Sequence, residues 1–175
     1  MNGYNMPKGL KQTSSMIVIG AQVEESAANT LTTEQISLQL NALDNEVFVV
    51  TAVDIDAQIP DQTAASLTGN NVWVTKQDPL GTNPTFNQSN VVATKVIAQD
   101  NRGGDGFTIY ETGSMESPST TMEYLNIIAT PDFFLSIDGF NNAAALSAAC
   151  KVYGYRARAD ASTYAALVQS EVLSS

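Results

Sequence analysis

Two aspartates one residue apart, Asp54 and Asp56, end the most apolar stretch of this 175-residue chain, EVFVVTAVDID from Glu46 to Asp56. On an extended backbone residues i and i+2 project to the same side. The two carboxylates, with Asp61 nearby, present the oxygens that a hard cation such as calcium takes, so Asp54 and Asp56 are the candidate metal ligands. The same pair also suits a strand end that leaves the core for water, where solvent screens the repulsion. The D-x-D spelling occurs in sugar-nucleotide transferases too, but those need a nucleotide-binding α/β domain, and none is read below.

Other reactive chemistry is sparse. The chain has no histidine, which closes the Ser-His, Cys-His and His-metal routes. Its one cysteine, Cys150, follows two alanines and has no base beside it, the setting of a small core residue. The run DNRGGDG over residues 100–106 resembles a calcium loop only loosely. It lacks the ligand spacing and final glutamate of an EF-hand and reads as a hairpin turn. A carboxylate pair for glycoside cleavage leaves no mark in a sequence, and nothing here marks one. The reading is therefore non-enzymatic, with no catalytic residues and no cofactor apart from the calcium candidate.

Eight basic residues stand against 18 acidic ones, a net charge of −10. Such a chain is repelled by bare phosphate, and its cations are scattered, so direct nucleic-acid binding is not expected. Charged residues make up 15% of the chain, below the usual value of about 25%. The polar surface must then be Ser, Thr, Asn and Gln, which suits a protein that packs against copies of itself, although plain sequence bias gives the same result. The length fits one domain that buries about two-thirds of its unfolded surface. A single cysteine allows no bridge within the chain. Residues 1–15 carry Lys8 and Lys11 without an apolar run behind them, so no signal peptide is read. No segment approaches the ~20 apolar residues of a membrane span, although contact with a membrane surface remains open.

The elements follow from period and punctuation. Residues 47–53 are apolar on both alternation phases except at Thr51, which predicts a central strand dry on both faces. Residues 1–15 read as a flexible arm, and residues 16–175 as one domain. Strands are predicted over 15–23, 33–40, 46–56, 72–76, 91–98, 107–111, 122–130, 133–137 and through 143–159. Residues 31–40 also allow a short helix. Loops are predicted over 59–71, 78–90 and 112–120. Asp160 caps a helix from Ala161 to Leu173 whose Tyr164, Leu167, Val168 and Val172 form an apolar stripe. Eight or nine strands without β-α alternation make this an all-β antiparallel sandwich, a jelly roll by its spacing, with a short C-terminal helix.

A short polar arm, eight-odd strands, Asn/Pro/Thr-rich loops and a terminal helix resemble the single jelly-roll structural proteins of tailless icosahedral viruses. EVFVVTAVDID and the closing YGYRARADASTYAALVQSEVLSS are similar to small virion proteins of marine phage type. The resemblance implies a capsid subunit in the virion, with copies of itself and other virion proteins as partners. Viral jelly-roll coats that touch RNA usually carry a basic arm; this one has only Lys8 and Lys11. The departure points to an internal membrane, another protein layer, or a genome neutralised by other means. The candidate interface residues are Met6 and Leu10 of the arm and Tyr164, Leu167, Val168 and Val172 of the helix. The alternative is a β-sandwich binding module for carbohydrate or a cell-surface partner, with Trp73 and exposed tyrosines as its platform.

Overall fold

The computed structural model describes residues 7–62, 66–103, 106–113 and 122–173. These form ten strands, β1 (Leu10–Gln12), β2 (Ile17–Glu24), β3 (Thr32–Ser37), β4 (Glu46–Ala57), β5 (Leu67–Thr75), β6 (Val91–Asp100), β7 (Thr108–Gly113), β8 (Asn126–Ile128), β9 (Asp132–Phe140) and β10 (Ser147–Ala159), followed by helix α1 (Ala161–Leu173). All pairings are antiparallel. The first sheet runs β2-β10-β4-β8, with β1 beside β2 on the same edge of β10; the second runs β3-β9-β5-β6-β7. Numbered from β2 and setting β7 aside, successive strands change sheet at every step except the β5–β6 hairpin, as in two interleaved Greek keys. That is a jelly roll.

β4 is central, as its apolar run predicts, and its two dry faces have different causes. Phe48, Val50, Val53 and Ile55 join the core between the sheets, together with Val72, Val74, Ala93, Phe133, Leu135, Ile137, Cys150 and Val152. Val47 and Val49 face the other way, where α1 covers them. Core positions change from even to odd along the strand because of a bulge. Tyr153 pairs with Ala52 but Gly154 with Val50, so Thr51 is an extra residue. Its hydroxyl donates to the carbonyl of Tyr153 at 3.1 Å. Gly154 is required opposite the bulge: a Cβ there would meet the Phe48 ring at 2.6 Å and the Val49 carbonyl oxygen.

Several expectations need correction. Ten strands are present among the described residues, not eight or nine. The loop expected over 59–71 ends early, because β5 starts at Leu67. Gly69 reads as a turn residue, but it lies in the strand because the Phe140 ring occupies the space of its missing side chain. The strand expected over 122–130 is only Asn126–Ile128, since β4 pairs with it only through Phe48, Val49 and Val50. Residues 143–146 lie outside β10. Within the stretch read as an arm, Leu10–Gln12 pairs with the end of β10; residues 1–6 lie outside the described residues.

Candidate functional site

The C-terminal helix starts where Asp160 caps it: the Asp160 carboxylate accepts the Thr163 N–H at 2.7 Å. That bond and the Ser162 hydroxyl hold its carboxyl below the usual range. The apolar stripe then meets its own sheet. Tyr164, Leu167 and Val168, with Leu10 from β1, pack on Val47, Val49, Ala129, Ala157 and Ala159. Val172 lies beyond this contact and is exposed, and Met6 lies outside the described residues. The structure thus brings four of the six candidate interface residues together on the outer face of the first sheet, Leu10 from its own strand β1 and the other three from the helix that covers it.

The last turn of α1 carries a feature the stripe concealed. Glu171 is spaced to share the face of Tyr164, Leu167 and Val168, and its side chain is buried. Its carboxylate accepts the N–H groups of Ala129 and Thr130 at 2.9 Å each, with the Lys76 ammonium at 3.8 Å. Gln77 donates its side-chain N–H to the Glu171 carbonyl. The helix end is therefore tied to the β5–β6 and β8–β9 connections. A glutamate on an apolar stripe was the available sequence signal for this. The other end of the sandwich has a counterpart without such a signal. Glu25 is buried after β2 and accepts the N–H groups of Gly139 at 2.7 Å, Leu146 at 2.8 Å and Thr30 at 3.0 Å.

Asp54 and Asp56 stand exposed on the outer face of the first sheet, beyond the part that α1 covers. With Gly20, Gln22, Ala149 and Lys151 they line an open depression of about 780 Å³. Lys151 is the register partner of Asp54. Asp61 is turned away, its carboxylate accepting the N–H groups of Ala143 at 2.8 Å and Ala144 at 3.2 Å. Among the described residues no three His, Cys, Asp or Glu side chains gather as a metal site. Cys150 is buried, and burial pushes its thiol up to about 11. Trp73 is only 7% exposed, so it cannot serve as a stacking platform.

Large apolar side chains do reach solvent. Leu43 is 96% exposed in the β3–β4 connection, and Leu80 and Phe86 are 82% and 71% exposed in the β5–β6 loop. Both connections share the end of the sandwich closed by Glu171, where Val172 and Leu173 are also exposed. No helix among the described residues is long and apolar enough to cross a membrane.

No family model matches the sequence, and no curated protein matches it. Among solved structures the chain is similar to apo chimpanzee polyomavirus VP1, at 6% identity and a TM-score of 0.45, covering 86% of this chain and 99% of that one. It is similar to the unassembled pentamer of Merkel cell polyomavirus VP1 at 7% identity and 0.42, covering 83% and 97%. The complex of Merkel cell polyomavirus VP1 with GD1a oligosaccharide follows at 8% and 0.41, covering 86% and 97%. None of the three shares enough sequence to carry a residue's role to this chain.

Proposed function

We propose that this chain is a non-enzymatic structural subunit of a tailless icosahedral virus particle, building a shell with copies of itself and other virion proteins. The observation that carries the reading is the apolar end of the jelly roll. Leu43, Leu80, Phe86, Val172 and Leu173 are each exposed on the connections and helix end at one pole of a strongly acidic protein. Leaving such side chains in water is costly unless something covers them, and exposed apolar groups of this kind mark contact surfaces. Contacts of modest area become a stable shell when closed symmetry repeats them. The net charge of −10 argues that the subunit does not hold the genome directly. Asp54 and Asp56 supply two carboxylates toward calcium. The remaining oxygens of a six- to eight-fold shell would come from water, backbone carbonyls or a neighbouring copy.

Light scattering and negative-stain imaging of the purified protein test the proposal. Defined oligomers or regular particles are expected on concentration. A protein that stays monomeric at every concentration and binds glycans would overturn the reading in favour of a binding module. If calcium bridges copies, Asp54→Asn with Asp56→Asn removes any calcium dependence of assembly and leaves the monomer's stability unchanged.

A further inference from the structure

β7 is an edge strand whose outer side no described residue pairs with. Among the described residues it pairs only with β6. All six of its residues are exposed, on both alternation phases, with Ile109 49% and Tyr110 53% accessible and Phe107 beside them at 53%. Its outer row of backbone N–H and C=O groups is a template for another strand. Solitary proteins blunt such edges with a proline, a bulge or an outward lysine. Here the register runs unshifted from Lys95↔Gly113 to Asp100↔Thr108, and the strand TIYETG holds neither proline nor lysine.

We propose that β7 is the seam along which two copies of this chain join, strand against antiparallel strand, so that the second sheet of one continues into that of the other. The inference rests on the assembly reading above and names the surface it uses. Electrostatics selects a second copy as occupant. Each molecule carries −10, so copies can meet closely only where charge is already neutralised. β7 meets that condition. Its one charged residue, Glu111, is held by Lys95 of its own chain at 2.9 Å, and Asp100 at the other end of the ladder by Arg102 at 2.6 Å. The opposite edge of the same sheet, β3, presents Glu34, which has no ion pair among the described residues. An antiparallel pair about a two-fold axis at Tyr110 sets Tyr110 opposite its own copy and each Glu111 opposite Ile109, and brings no two carboxylates face to face.

Hydrogen exchange on the full chain at low and high protein concentration tests this, beside light scattering of the wild type and an Ile109→Lys, Tyr110→Lys double variant. The backbone amides of β7 are expected to exchange more slowly at high concentration. The variant, folded by circular dichroism because both positions are exposed, should self-associate about tenfold more weakly or worse. The ammoniums at position 110 would face each other across the axis, and the apolar contacts of Ile109 and Tyr110 would be lost. Association with the β7 amides unprotected, or undiminished in the variant, would overturn the seam and leave the shell reading standing. A wild type that remains monomeric overturns both. Should the variant unfold, the wild-type exchange pattern still decides.

Discussion

The carboxylate of Glu171 and the ammonium of Lys76 stand 3.8 Å apart beneath the last turn of the helix, the glutamate side chain 1% and the lysine 11% exposed. The same carboxylate satisfies two backbone N–H groups, so one side chain joins helix, β5–β6 connection and β8–β9 turn. Glu171→Ala removes one partner of a buried pair and leaves two N–H groups and a cation without an acceptor. A loss of about 3–5 kcal/mol in urea unfolding is expected. Glu171→Gln, which keeps an acceptor, should lose less.

Two glycines should respond differently to the same substitution. At Gly69 an added Cβ meets the Phe140 ring, which is a side chain and can be trimmed. Gly69→Ala should cost about 1–3 kcal/mol by overpacking, and Phe140→Leu in the same chain should recover part of it. At Gly154 the Cβ meets the Val49 carbonyl oxygen, which cannot be trimmed. Gly154→Ala is expected to cost more, and no change at Phe48 should restore it fully. Denaturant midpoints of the singles and doubles read both outcomes.

Stability on the acid side should follow the two carboxyls whose proton affinity is lowered, Asp100 and Asp160. The Arg102 side chain holds Asp100 down to about 2, and the Thr163 N–H and Ser162 hydroxyl lower Asp160. A carboxyl lowered in the folded state stabilises it above the unfolded value and loses that contribution as pH falls through the folded one. The melting temperature is therefore expected to fall as pH drops below the ordinary carboxylate value of 3.8. Asp160→Asn keeps a capping acceptor without a titrating proton and should flatten part of that slope.

Cys150 should be silent in the native protein. Burial raises its thiol, so almost no thiolate forms at mildly alkaline pH, and little of it is within a reagent's reach. A disulfide-exchange reagent is expected to titrate it fully in denaturant and only slowly without. Rapid native labelling would place an opening between β10 and its neighbours.

Local signals made the sandwich and helix legible. The apolar run of β4, the alternation that marks β3 and the Asp160 cap each declare themselves within a few residues, although β3 ends at Ser37, short of the Leu38 and Leu40 that the alternation includes. Thr51 was visible as the polar break in the β4 run, although its role as the extra residue of a bulge depends on a strand a hundred positions later. What stayed hidden depends on such distant partners. Gly69 and Asn70 spell a turn, yet the Phe140 ring fills the space beside one, and the other donates to the Gln58 carbonyl at 2.9 Å. β1 is three residues long and gains its meaning only from the end of β10. The stripe of α1 was readable from Tyr164, Leu167, Val168 and Val172, but without Glu171 on the same face. Its acceptor role exists only once residues 129–130 are folded beneath it.

The order in which a ribosome delivers these pieces has a consequence. β4 emerges early, yet its neighbour β10 and the helix that shelters Val47 and Val49 come last. For most of translation the stickiest segment of the polypeptide therefore lacks its partners. Closure of the first sheet must wait for the final fifth of the chain, which exposes nascent molecules to mispairing and makes chaperone dependence a natural trait of this architecture.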